Sequence, residues 1–467
     1  MPISPENLTK IENFIRKTMR KKKVPGLSIG IIQGDKVLHA RGYGYRDLEK
    51  GHSMTADTLI GIASVTKSIT AFAIMKLVQE GKLSLEESVA TYLSRPPFSN
   101  HPEIKLKHLL SHSSGIPAAD AQLAQMFYNL GDFKNIYPVA TKDDFFYHIG
   151  APDDYNLFKP EEKFFYNNDM FTCLGFIIEN ITGKKYSEYI QELIFEPLQI
   201  KRATFSKEEY DQDPLNDKIV GYLPKTQDGK QSLRRVNLSM YEFLQAPGGL
   251  NISANDMLKY AQLILNRGKW DGKEILTEEM FSKLWDPIIS CPYGLTPEGK
   301  YALGWVIDDS YLGTKLVHHG GGLGTSCTSL ILAPDLNLGI YVGQNSCNVS
   351  PSIIARYALA IILGKDPHQE LKELQVEPIL DEIQGKYYAP HDLYSAEILL
   401  EGGVLWAKLQ IDDGSLKFPL IPKDILNLTF TLGLAQLPPV PKIQFYRDNN
   451  TGKISSVTYD RYLYIKN

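Results

Sequence analysis

Across residues 5–22 the apolar positions Ile11, Phe14 and Ile15 recur at helical spacing among charged neighbours, which predicts an amphipathic helix. Pro25-Gly26 breaks the pattern, and the apolar run 27–33 predicts a strand. Gly34-Asp35 is turn chemistry and 36–43 reads as the returning strand, so the chain opens with a helix beside an antiparallel hairpin. A second helical pattern begins at Ser64. There Val65, Ile69, Phe72, Ala73 and Leu77 leave little polar face, predicting a mostly buried helix closed by Gly81. Ser84 and Glu87 form a capping-box signature for a further helix. Helix and loop texture runs to about residue 285; strand patterns then return at 302–306, 315–319, 325–332 and 338–343, and 352–363 predicts a closing helix. Strands near both ends of this region, around a helical middle, predict one α/β domain: a mixed antiparallel sheet flanked by helices, with a helical subdomain.

The texture changes beyond residue 385. Short alternating runs at 396–400, 404–411, 416–421, 426–431, 442–447 and 454–465, with Asn449-Asn450-Thr451-Gly452 as a hairpin turn, predict a small antiparallel barrel or sandwich. The expected organisation is a domain over 1–365, a charged linker over 366–380 and an all-β domain over 381–467. A length of 467 residues suits more than one domain.

Charge narrows the partners. Lys plus Arg number 50 and Asp plus Glu 54, a net −4 that makes no electrostatic case for nucleic acid. The basic stretch 16–23 is read as the solvated face of the first helix. No apolar run approaches the roughly 18 residues of a membrane span, and no apolar leader follows Met1, so a cytoplasmic location without a membrane partner is expected. Cys173, Cys291, Cys327 and Cys347 form no C-x-x-C pair. Four free thiols are expected; a Cys327–Cys347 bridge stays open, because both follow strand-like segments, but a reducing cytosol disfavours it.

Candidate chemistry starts with Ser64-Val65-Thr66-Lys67. Residues three apart on a helix share a face, about 5–6 Å between Cβ atoms. A serine hydroxyl needs a base to become a nucleophile, and a lysine serves once burial lowers its pKa. The bland reading, a capping serine and an exposed lysine, is the commoner one for this motif alone. Three later segments change the weighting: Leu109-Leu110-Ser111-His112-Ser113-Ser114-Gly115-Ile116, Phe165-Tyr166-Asn167-Asn168, and Val317-His318-His319-Gly320-Gly321-Gly322-Leu323-Gly324. In sequence and in their order after S-x-x-K these resemble the serine β-lactamase and penicillin-binding-protein superfamily, whose elements are S-x-x-K, Tyr-x-Asn and Lys-Thr-Gly or His-x-Gly. Within it the chain is most similar to class C β-lactamases and CubicO-type serine peptidases and esterases. The resemblance spans about residues 10–365, and the C-terminal part resembles in texture the lipocalin-like barrel of some CubicO-type peptidases.

The resemblance implies a serine hydrolase acting through an acyl-enzyme on Ser64, with Lys67 as the nearest base and Tyr166 as a second candidate base, its phenol relaying protons if nearby cations lower its pKa; which of the two is the main base stays open. Asn168 would bond the substrate amide or orient Lys67. Backbone N–H groups of Ser64 and of the Gly320-Gly321 strand would stabilise the oxyanion. His318 is placed where the family has its lysine and His319 where it has threonine; a histidine, mostly neutral near pH 7, weakens the hold on a substrate carboxylate. That shifts the expected substrates from penicillins to short peptides and amino-acid amides, with D-residues in scope. Carboxylesterase or weak β-lactamase activity is the enzyme alternative, and a catalytically silent penicillin-recognising protein the alternative of another class. No cofactor is expected, and no metal: adjacent strand histidines point to opposite faces and no third ligand is evident. His112 is read as structural. Glu161 stands near a position where many relatives carry glycine, which puts the loop before Tyr166 in question. The barrel leaves several roles open: restricting access, binding ligand, building a homo-oligomer, or structural support.

Overall fold

The computed structural model describes residues 3–120, 139–150, 158–227, 230–236, 240–392, 394–411, 414–433, 442–459 and 461–467. The chain divides into two compact units, Met1–Ile362 and Leu363–Asn467.

In the first unit the opening helix α1 (Pro5–Lys22) starts on a Ser4 side-chain cap and stops where Lys23 turns left-handed. The strands β1 (Gly26–Gln33) and β2 (Lys36–Asp47) follow as a hairpin. Helix α2 (Thr66–Gln79) is buried nearly all round, as its apolar pattern requires. Helices α3 (Asn168–Thr182) and α4 (Ala254–Leu265) come from the middle of the chain. The strands β3 (Val306–Tyr311), β4 (Thr314–Gly322), β5 (Cys327–Ala333) and β6 (Leu338–Gln344) precede the closing helix α5 (Pro351–Ile362).

These strands form one antiparallel nine-stranded sheet in the order Ile289–Ser290, Lys300–Tyr301, β3, β4, β5, β6, β1, β2, His52–Ser53. The joint between the two ends of the chain is β1 on β6, with Leu27 opposite Gln344. Six of the seven β5 positions and all seven of β6 are buried, the mark of strands covered on both faces. Helix α4 packs on β1 and β6, α5 packs on β5 and β6, and Phe14 of α1 stacks on Tyr357 of α5 with ring centroids 3.8 Å apart. Helices α2, α3 and α4 share one apolar core with the inner positions Val317, Leu330, Leu332 and Tyr341 of the sheet.

The second unit is a closed barrel of eight antiparallel strands in chain order: β7 (Gly385–Tyr388), β8 (Ser395–Glu401), β9 (Val404–Ile411), β10 (Gly414–Asp424), β11 (Thr429–Leu432), β12 (Lys442–Arg447), β13 (Ile454–Tyr459) and β14 (Tyr462–Lys466). Pairing of β7 with β14 closes it. The segment expected as a linker is helical instead: α6 (Lys372–Ile383) places Ile379, Leu380 and Ile383 in the barrel's core. Its charged residues hid an apolar stripe.

Other differences have local causes. The run 454–465 is two strands, β13 and β14, paired antiparallel with Tyr459 opposite Tyr462. The strand expected at 302–306 begins only at Val306, after Gly304 adopts φ 73°. Ser84 caps no helix; the next short helix, Val89–Tyr92, is capped by Ser88. Cys327 and Cys347 are disulfide-bonded with Cα atoms 5.3 Å apart, against the expectation of four free thiols, while Cys173 and Cys291 are free. Among the described residues no helix is long and apolar enough to cross a membrane.

Candidate active site

Ser64 sits in a single 3-10 turn (Ala63–Val65) that runs into α2, and it caps no helix. The residue before it, Ala63, is held at φ 50°, a left-handed conformation that a non-glycine residue adopts at a cost. The strand β4 fixes this turn from the side. A Cβ on Gly321 would lie 2.1 Å from the Ile62 carbonyl, so only glycine lets β4 come so near the backbone of the turn. Thr328 of β5 donates to the same carbonyl at 2.7 Å.

Lys67 lies one turn further along α2 and is fully buried. Its Nζ is 3.1 Å from Ser64 Oγ, 2.7 Å from Asn168 Oδ1 and 2.8 Å from the Pro247 carbonyl. Burial pushes its pKa well below the usual ammonium range, with Asp120 opposing. A neutral amine has two N–H groups and one lone pair. In the neutral form that burial favours, the two carbonyl oxygens take both hydrogens and the lone pair faces the Ser64 hydroxyl.

Tyr166 hydrogen-bonds Ser64 through its phenol and stands beside Lys67, whose Nζ is 4.8 Å from the ring centroid. Burial raises the phenol pKa, so Tyr166 carries its proton at neutral pH and is suited to give one rather than to begin by taking one. Asn167 caps α3, its side chain accepting from the Met170 N–H, and Asn168 is left to bond Lys67. His112 supports this segment. It is buried at φ 57°, accepts from the Asn167 N–H at 3.1 Å and packs 4.2 Å from the Tyr166 ring. Burial keeps it neutral, with Lys67 and His319 adding to the effect.

Register decides which strand histidine meets these groups. Residues 317, 319 and 321 share the face of β4 that looks at the serine turn, while 316, 318 and 320 share the other. His319 is therefore at the site. Its Nε2 is 2.9 Å from Tyr301 Oη, its Nδ1 2.6 Å from the Gly320 carbonyl, and its ring 6.3 Å from that of Tyr166. Burial, then nearby Lys67, lowers its pKa to about 3, so it stays neutral. His318, expected in the family lysine's place, turns to the opposite face and meets Asp308 at 2.8 Å. The one-residue slip arises because a double histidine gives no local signal of which member faces inward. Val317 does: it is apolar, buried in the shared core, and on the same face as His319.

Glu161 resolves the question about its loop. It adopts φ 68°, the conformation glycine favours, and its side chain is pinned by Lys107 at 3.0 Å and His108 at 3.1 Å. Asp120 had no sequence signal at all. Its carboxylate is 3.2 Å from Asn168 Nδ2, and Asp169 holds its backbone through the N–H groups of Ala119 and Asp120.

Comparison with known proteins places this geometry in context. The family profile described as beta-lactamase matches residues 11–360. Protein flp of Staphylococcus aureus (strain MW2) is 29% identical over 340 residues, covering 72% of this chain and 62% of its own length. The chain thus spans less than two thirds of the curated relatives it matches first. The octameric penicillin-binding protein homologue from Pyrococcus abyssi is 33% identical, with a TM-score of 0.87 over 98% of this chain and 100% of that one. D-amino acid amidase from Ochrobactrum anthropi SV3 shares the fold at 21% identity, TM-score 0.63, over 77% of this chain and 99% of its own.

Proposed function

Since the chain belongs to the beta-lactamase family of serine hydrolases, we propose that it forms an acyl-enzyme on Ser64 and cleaves the amide bonds of short peptides or amino-acid amides, D-residues included. The observation that carries this reading is the set of partners around Lys67: two carbonyl oxygens hold its N–H groups, so that in the neutral form, which burial favours, the lone pair faces the nucleophile 3.1 Å away. Ser64 passes its proton to Lys67 as Oγ attacks the carbonyl carbon. The N–H groups of Ser64 and Gly321 stabilise the oxyanion. Tyr166 gives its phenolic proton to the departing amine and regains one from Lys67. Water then attacks the ester carbonyl, its proton passing through Lys67 and Tyr166 to Ser64 Oγ as the acyl–oxygen bond breaks, and the acid leaves.

The choice of amides over penicillins rests on charge. His319 is neutral and offers no cation to a substrate carboxylate, while the Asp120 carboxylate beside Asn168 suits a free α-ammonium. The amidase resemblance adds to this reading at the level of the fold. A homo-oligomer built through the barrel is also proposed, in line with the octameric state named for the Pyrococcus abyssi homologue. The cytoplasmic location expected from the sequence has the Cys327–Cys347 bridge against it, since a reducing cytosol keeps thiols open.

Intact-mass analysis after a fluorophosphonate probe, and after a panel of D- and L-amino-acid amides, esters and β-lactams, tests the proposal. Labelling that disappears in Ser64→Ala, with turnover of amides, supports it. Turnover of esters or β-lactams alone moves the assignment to those alternatives. No labelling and no turnover supports the silent binder.

A further inference from the structure

Asp308 is fully buried and takes no part in the proton transfers above. It accepts four hydrogen bonds: from the Leu295 N–H at 2.9 Å, the Thr296 N–H at 2.8 Å, the Thr296 hydroxyl at 2.7 Å, and His318 Nε2 at 2.8 Å. Burying a carboxylate is unfavourable unless donors surround it, so this cluster has a strongly preferred geometry. Three of the four donors belong to the segment 291–299. The same segment is tied at its ends, the Cys291 N–H donating to the Gly299 carbonyl at 3.0 Å, and a Cβ on Gly294 would lie 2.5 Å from Gly299 Cα. The loop is therefore a stiff, closed element fixed to β3 and β4.

On this loop stands Tyr293, 53% exposed. Its ring is edge-on to Tyr166, with centroids 5.5 Å apart at 88°, and edge-on to Phe164, 5.8 Å apart at 74°. A lone exposed aromatic is ordinary on a protein surface. An exposed aromatic on a stiff loop, touching the catalytic phenol with one edge and offering its remaining surface to solvent, is a wall ready to be covered by whatever Ser64 holds.

We propose that Tyr293 is a specificity-determining residue that packs against the side chain on the acyl part of the substrate and selects apolar, above all aromatic, residues, and that the Asp308–His318 pair is a positioning pair that holds Tyr293 in place. This gives His318 a part in the site that acts through the loop rather than on the reacting atoms. The proposal rests on the acyl-enzyme reading, and the substrates below separate the two.

The test uses the full chain and two substrates with one leaving group, the p-nitroanilides of alanine and phenylalanine, in the stereochemistry the enzyme accepts. Tyr293→Ala is expected to lower kcat/KM for the phenylalanine substrate roughly 10-fold more than for the alanine one, mostly through KM, the scale of one aromatic contact with its buried area. Tyr293→Phe keeps the parent ratio. Thr296→Val and His318→Ala move the ratio in the same direction by a smaller factor, and His318→Gln, whose amide N–H can still donate to Asp308, returns it toward the parent. Thr296→Val is nearly isosteric and half-buried, so it reports even if His318→Ala folds poorly. A ratio unchanged in Tyr293→Ala overturns the proposal. A ratio changed there but untouched in both Thr296→Val and His318→Ala overturns the positioning pair. Loss of the acyl-enzyme reading would show instead as probe labelling that survives Ser64→Ala.

Discussion

Replacing Asn168 by aspartate tests the base assignment more sharply than deleting any catalytic group. Asn168 Oδ1 lies 2.7 Å from Lys67 Nζ and accepts one of its hydrogens. A carboxylate in that place would favour the ammonium form. An opposite charge at this range raises such a pKa by about 1–3 units, each unit worth about 1.4 kcal/mol. The fraction of neutral lysine on the acid side of the profile should then fall roughly 10- to 1000-fold. Asp120, now 3.2 Å from Asn168 Nδ2, would face a second carboxylate and oppose its ionisation, which favours the lower end of that range. The assay is the rate of fluorophosphonate labelling from pH 5 to 10. In the parent the rate rises with pH as Lys67 loses its proton. In Asn168→Asp the rising limb should move to higher pH by the stated shift, and the rate should approach the parent's once Lys67 is neutral. A loss that is the same at every pH would mean that Asn168 acts on the reacting group instead, and an unmoved limb would refute Lys67 as the base.

Three further outcomes are expected. Gly321→Ala places a Cβ 2.1 Å from the Ile62 carbonyl and should slow labelling more than 10-fold while circular dichroism shows the fold retained, because the oxyanion strand must move off the serine turn; unchanged labelling would deny the close approach a role. Glu161→Gly should leave the melting temperature within a few degrees of the parent and Glu161→Ala should lower it. Glycine relieves the left-handed backbone, worth about 1–2 kcal/mol, against a half-exposed ion pair worth about 0–1 kcal/mol, whereas alanine loses the pair and keeps the strain; an alanine variant more stable than the glycine one would contradict this. His319, held at about pKa 3 in the fold against about 6.5 in the unfolded chain, gives stability that is complete above about pH 6.5 and is lost as pH falls toward 3, since only the unfolded chain takes the proton. Urea midpoints measured from pH 7 to 4 should therefore fall less steeply in His319→Gln, and parallel curves would show that another group sets the acid limb.

Much of this site was visible in the chain before any coordinates. Helical periodicity placed Ser64 and Lys67 on one buried turn, and motif order brought in Tyr166 and Asn168; the structure gathers all four within bonding reach. What stayed hidden shares a physical cause. The histidine that faces the site depends on a strand register that one residue reverses. Asp120 reaches Asn168 only because Asp169 holds its backbone, a tertiary contact with no local trace. The carbonyl of Pro247 is a main-chain group that no side-chain motif announces. The helix over Lys372–Ile383 reads as a charged spacer because only a narrow stripe of it is covered. The Cys327–Cys347 bridge depends on two strand ends meeting, which spacing along the chain does not reveal.

The seam of β1 on β6 also sets a timetable for biosynthesis. Leu27 and Gln344 are neighbours in space but lie at opposite ends of the catalytic unit. At about 5–20 residues per second, the first hairpin leaves the ribosome roughly 15–60 s before the strand that shields its inner edge has been made. Throughout that interval an apolar strand waits with unpaired amides, a template for any passing extended segment. Nascent chains stalled short of residue 338 should therefore be the ones that chaperones hold and that aggregate when chaperones are scarce.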